Sequence, residues 1–91
     1  MHFQYRTRGT CSQLIELDIN EQDVIDEVSF LGGCQGNLTG ISTLVKGQHV
    51  DEVIRKLSGI QCGYKGTSCP DQLARALRAY KEQKSVQINV L

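Results

Sequence analysis

The stretch "EVSFLGGCQGNLTGISTLV", residues 27–45, is where the chain changes its period. Up to Phe30 apolar and polar residues alternate, as on a half-buried strand. "LGGCQGNLTG" then reads as a glycine-rich turn, and beyond it Ile41, Leu44 and Val45 follow helical spacing up to Gly47, a natural stop. Strand patterns lie before this point and helical patterns after it, which decides the class of fold.

Working outward toward the N-terminus, "VIDEVSF" is the end of a strand whose inward side is expected to hold Val24, Val28 and Phe30. "LIELDIN" alternates with Ile15, Leu17 and Ile19 inward, and "NEQD" after it has turn composition. "HFQYRTR" places Phe3, Tyr5 and Thr7 on one side and His2, Gln4, Arg6 and Arg8 on the other. Toward the C-terminus, "HVDEVIRKLSG" predicts a helix with an apolar stripe of Val50, Val53, Ile54 and Leu57. Asp51 and Glu52 suit its positive end and Arg55 and Lys56 its negative end, with Gly59 as the stop. "PDQLARALRAYKEQ" predicts a last helix, with Pro70 at its first position and Leu73, Leu77 and Tyr80 inward. "SVQINVL" alternates again, as an edge strand or a strand pairing with a second subunit, which leaves a homodimer open. The segregated order argues for α+β: a three-stranded antiparallel meander covered on one face by three helices, with a C-terminal edge strand as an option. Residues 1–84 form the single expected domain and residues 85–91 an extension.

Bulk properties narrow the function. The chain has 91 residues and no net formal charge, which points neither to nucleic acid nor to a membrane surface. The charge is uneven: residues 1–45 carry two basic and six acidic side chains, residues 46–91 eight and four. Solvated helix faces are the favoured reading of that excess, and a docking patch for an acidic partner is the minority one. No apolar run approaches the roughly 20 residues that span a bilayer. "MHFQYRTRGT" lacks the apolar segment of an export signal, so a reducing cytoplasm is the expected compartment. Cysteines there are more often ligands, catalytic thiols or small core residues than disulfides.

All four cysteines fall at junctions between expected elements. Cys11 lies between the first two strands, Cys34 in the glycine-rich turn, Cys62 in the loop before the last helix, and Cys69 at the cap of that helix. Helix N-termini favour thiolates, although Asp71 competes for the same positive end. The gaps of twenty-two, twenty-seven and six residues contain no C-x-x-C knuckle, so spacing by itself says little. One such cysteine would be read as packing, whereas four in glycine-rich junctions favour chemistry. His2 on a wet strand face and His49 before a helix are expected to be solvated, His49 helping to start its helix.

"TSCPDQLA" at 67–74, with "GTCS" at 9–12 and "GGCQGNLTGIS" at 32–42, resembles the stand-alone TSCPD-domain proteins over about residues 3–83. Related domains end the adenosylcobalamin-dependent ribonucleotide reductases, so the resemblance implies a tie to ribonucleotide reduction. This chain is too small to hold that enzyme's barrel, radical cofactor site and substrate pocket. The motif order also resembles the IscU/NifU-type iron–sulfur scaffolds, through "TCSQLIELDI", "VSFLGGC", "GISTLVKGQHVDEVI" and "SCPDQLARAL". By that resemblance Cys11, Cys34 and Cys69 match the three scaffold cysteines, implying that they converge. Gln13 and Ser68 stand where that family has an aspartate and a histidine, and "CGYKGTS" replaces its proline-rich stretch. An extra thiol, Cys62, favours a closed site.

Three functions follow as expectations. The first is a metal-binding module in which Cys11, Cys34, Cys62 and Cys69 hold Zn²⁺ or an iron–sulfur cluster, with a ribonucleotide reductase or another protein as partner. The second is a thiol–disulfide relay attacking with Cys69 and resolving with Cys62 or Cys34. The third is a nucleotide- or cofactor-binding accessory domain, for which "GGCQGN" and "GYKGTS" offer only a weak anion nest and an incomplete P-loop ending. A flavin remains open under this third reading.

Overall fold

The computed structural model describes residues 1–9, 12–33, 35–61 and 66–90. Its elements run β1 (His2–Arg6), β2 (Ser12–Ile19), β3 (Ile25–Gly32), α1 (Gln35–Val45), α2 (Val50–Leu57) and α3 (Cys69–Val90). The strands form one antiparallel sheet in the order β1-β2-β3. The α+β meander with three helices is therefore the observed architecture.

Register explains the core. Tyr5 pairs with Ile15 and Ile15 with Phe30; Phe3 pairs with Leu17 and Leu17 with Val28. Two rows of apolar side chains thus cross one face. Ile15, Leu17, Val50, Val53, Leu73 and Leu77 are almost wholly buried there. Each such side chain contributes roughly 1.5–3 kcal/mol. The opposite face carries polar cross-strand pairs, His2 with Asp18 and Gln4 with Glu16. α1 packs on β3, α3 on β1 and β2, and α2 on α3.

The third strand departs from strict alternation. Ile19 pairs with Ile25 but Asp18 pairs with Glu27, so Asp26 is an extra residue in a bulge. The bulge changes the parity, so Ile25 is fully buried with Val28, while Val24, expected inward, is half-buried and lies outside the strand, in an isolated bridge to His49. Before it, the Asn20 side-chain oxygen accepts from the backbone N–H groups of Gln22 and Val24, which makes the expected turn.

The helices also correct the sequence reading. α1 begins at Gln35, inside the glycine-rich stretch. Leu38 and Val45 face the core, but Leu44, expected in the apolar stripe, is 73% exposed. Positions 38, 41 and 45 make the stripe, and one residue of rotation takes 44 off it. His49 caps α2 by accepting from the Asp51 N–H at 3.1 Å, and Ser58 and then Gly59, at φ +85°, end it. α3 stays helical through Val90, so residues 85–90 do not form the edge strand suggested by their alternation, and Leu91 lies outside the described residues. No glycine or proline follows Tyr80, and extending a formed helix avoids a second nucleation step. Among the described residues no helix is long and apolar enough to cross a membrane.

The second half of α3 is tied to the β2–β3 hairpin through Tyr80 and Lys84. Tyr80 packs edge-on against Phe3 and donates its hydroxyl to Asp23 at 2.9 Å. Lys84 donates to the same carboxylate at 2.7 Å. The Asp23 carbonyl in turn accepts the Val50 N–H at 2.8 Å, joining the hairpin to the start of α2.

Candidate functional site

The segment Thr67–Gln72 opens α3 at the opposite end of the sheet. Serine is a favoured N-cap because its oxygen can take an N–H that the first turn leaves unpaired. Ser68 fills that role: its Oγ accepts from the Asp71 N–H at 3.2 Å, and its carbonyl accepts the first helical bond, from Gln72, at 2.8 Å. The same hydroxyl donates to the Ile60 carbonyl at 2.6 Å. Cys69 is therefore the first helical residue and not the cap, and Pro70 is the second and not the first. Proline is tolerated there because its missing N–H had no helical partner to lose.

Asp71 is 3% exposed yet ionised by its surroundings. One oxygen accepts the Gly59 N–H at 2.7 Å; the other accepts the Thr67 hydroxyl at 2.6 Å and the Arg75 Nε–H at 3.0 Å. Burial works against the charge, but the bonds from Thr67, Gly59 and Arg75 outweigh it and hold the carboxyl below its ordinary range. Gln72, 1% exposed, donates to the Thr67 hydroxyl at 2.9 Å and accepts the Arg8 N–H at 3.1 Å. A continuous chain of hydrogen bonds thus runs from Arg8 through Gln72 and Thr67 to Asp71, and its members polarise one another. Among the described residues no buried side-chain polar atom lacks a partner.

This network joins separate parts of the chain at one end of the fold. Gly9, at φ +76°, lies so close to Thr67 that a Cβ there would stand 3.1 Å from Thr67 Cγ2. Ser12 pairs with Gly32 across the sheet beside it. Gly59 and Ile60 reach the same helix start through Asp71 and Ser68.

Of the four cysteines expected to form the site, Cys69 is half-buried in the first turn of α3. Cys11, Cys34 and Cys62 lie outside the described residues. Among the described residues no group of three or more His, Cys, Asp or Glu side chains is arranged to hold a metal ion. His2 is half-exposed beside Asp18 and His49 serves as a cap, as expected of solvated histidines.

Sequence reasoning missed the roles of Thr67, Ser68 and Gln72 and took Asp71 only as a competitor for the helix dipole. A serine three residues before an acid is a capping pattern, and that signal was present in "SCPD". The long-range partners Arg8 and Gly59 carry no local signal. Thr67 and Ser68, which end the P-loop-like "GYKGTS", use their hydroxyls inside this network. A separate open groove of about 440 Å³ lies between β3 and α1. Its Ser42 and Thr43 hydroxyls donate to the helix carbonyls of Leu38 and Thr39, and Lys46 pairs with Glu27 at its border.

A family model for the TSCPD domain matches residues 3–81. No curated protein and no solved structure matches the chain.

Proposed function

The chain belongs to the TSCPD domain family, and from that premise we propose that it is a small metal-binding accessory module whose thiolates hold Zn²⁺ or an iron–sulfur cluster. Cys11, Cys34, Cys62 and Cys69 are the proposed ligands, and by resemblance a ribonucleotide reductase is the proposed partner. One observation carries this reading: the segments that flank the four cysteines are tied to one another. Gly9 contacts Thr67, Ser12 pairs with Gly32, and Ile60 accepts from Ser68. Each cysteine is at most two residues from one of these contacts, and two residues of chain reach only about 7 Å. Soft sulfur donors suit zinc and iron, and a four-thiolate shell leaves no open position for substrate. Bound metal would supply folding energy to a small domain, or electron transfer if it is a cluster.

The test is metal analysis of protein purified without oxygen. About one equivalent of zinc, or of a cluster, per chain is expected. Less than about a tenth of an equivalent of either, in protein that also fails to take up added metal, overturns the reading.

A thiol–disulfide relay is the second reading, favoured by the partial exposure of Cys69 at a helix start. Differential alkylation after mild oxidation distinguishes it: Cys69 would enter a disulfide with Cys62 or Cys34 in the relay and stay reduced in a closed metal site.

A further inference from the structure

We infer that the solvent face of the sheet carries a docking surface for an acidic amphipathic helix of another protein, formed by the cross-strand row Arg6–Leu14–Leu31 with Arg8 beside it. The inference does not depend on the thiols. Register puts the row on one face: Arg6 pairs with Leu14, and Leu14 with Leu31. The other two rows of that face are polar, His2–Asp18–Glu27 and Gln4–Glu16–Ser29. The third row instead leaves two leucines open to solvent, Leu14 half-buried and Leu31 exposed. They border an open hollow of about 190 Å³ with Glu16 and Ser29. One exposed leucine needs no explanation, but two side by side on an otherwise polar face, next to unpaired charge, point to a partner.

Charge says what kind. From Lys46 onward each described lysine and arginine has a side-chain partner within the chain: Glu27, Glu52, Asp71, Ser58, Asp51 or Asp23. The basic excess of that half is thus engaged internally. Arg6 and Arg8 differ. Both are exposed, and among the described residues neither guanidinium has a hydrogen-bond or ion-pair partner. Thr7 between them is buried and laddered to Gln13, so alternation puts both arginines on the outer side. A partner with carboxylates supplies what they lack, while its apolar side chains cover the leucines. Spacing favours a helix. Neighbouring strands stand about 4.8 Å apart, so the row spans about 10 Å. A helix crossing the strands offers apolar residues about 4.5–6 Å apart, at i and i+3 or i+4, and an acid about 10.5 Å along, at i+7. An extended segment repeats its face only every 6.6–6.8 Å or so, which fits the row poorly. A second copy docked row on row brings no carboxylate, and nucleic acid would meet Glu16 on the same face without using the leucines.

The experiment selects on the immobilised full chain from a displayed library of random peptides of about sixteen residues, roughly four helical turns. Enriched peptides are resynthesised and their binding is measured by fluorescence anisotropy. Acid-rich peptides with apolar residues three or four apart are expected, weakened by added salt and bound about tenfold less tightly by Arg6→Glu and by Leu31→Ser. Arg55→Glu and Leu44→Ser, which change an exposed arginine and an exposed leucine elsewhere, are expected to bind as wild type does. Circular dichroism checks that each variant is folded, and should one of the first pair fail, the other carries the comparison. No enrichment, enriched peptides without acids, or binding indifferent to Arg6→Glu and Leu31→Ser overturns the inference. So does Arg6-dependent binding of a single-stranded oligonucleotide, or a dimer in sedimentation that Leu31→Ser abolishes, since either gives the row to a different occupant.

Discussion

Gly9 sits directly against the side chain of Thr67, across fifty-eight positions of sequence, with a left-handed backbone and only 3.1 Å between a would-be Cβ and Thr67 Cγ2. The contact brings the end of the first strand to the start of the last helix. A side chain at position 9 would need Thr67 to give way, and Thr67 is held by its bonds to Asp71 and Gln72.

Gly9→Ala is therefore expected to lower unfolding stability by about 1–3 kcal/mol, from a strained φ and a crowded methyl group. Gly40→Ala is the contrast: it lies in α1 with nothing within 4 Å of a new Cβ. It is expected to gain about 0.5–1 kcal/mol from helix propensity. Urea unfolding of the two variants checks both signs.

The face assignment of α1 makes a second prediction. Leu38 is 4% exposed and Leu44 is 73% exposed. Leu38→Ala should cost about 2–4 kcal/mol and Leu44→Ala no more than about 0.5 kcal/mol. Equal losses in thermal unfolding would mean that the helix is rotated from the observed position.

Stability should fall in acid through Asp23. The hydrogen bond from Lys84 holds its carboxyl below the ordinary value, against the opposing effect of burial and with help from the Tyr80 hydroxyl. A carboxyl that titrates lower folded than unfolded contributes fully above its unfolded value, about 3.9, and that contribution is lost as pH falls through the folded value. Stability measured from about pH 5 downward should thus decline less steeply in Asp23→Asn than in wild type. Added salt should weaken the effect, since Lys84 is partly exposed.

If the thiolates hold a metal, its removal should destabilise the fold. A chelator added to metal-loaded protein is expected to lower Tm, and the same chelator should leave Cys69→Ser unchanged, because only the native site gains free energy from the ion. Differential scanning calorimetry on the two proteins reads this directly. An identical shift in both would place the ion elsewhere.

Much of the fold is legible along the chain because its signals are local. Alternation in residues 14–19 and 28–30 names strands, the Val50–Val53–Ile54–Leu57 stripe names a helix, and His49 and Gly59 mark its ends. Errors came where a local pattern had a competitor. The Asp26 bulge exchanged Val24 for Ile25, and the period-two pattern after Lys84 yielded to a helix already under way.

By itself the sequence determined the elements, their order and the family motif, since period, capping and turn chemistry act within a few residues. Tertiary structure alone decided that Asp71 takes the Gly59 N–H, that Gln72 takes the Arg8 N–H, and that Gly9 must be small. Those facts depend on which backbone groups the packed core leaves facing one another, and no local pattern encodes a partner twelve or sixty-four residues away.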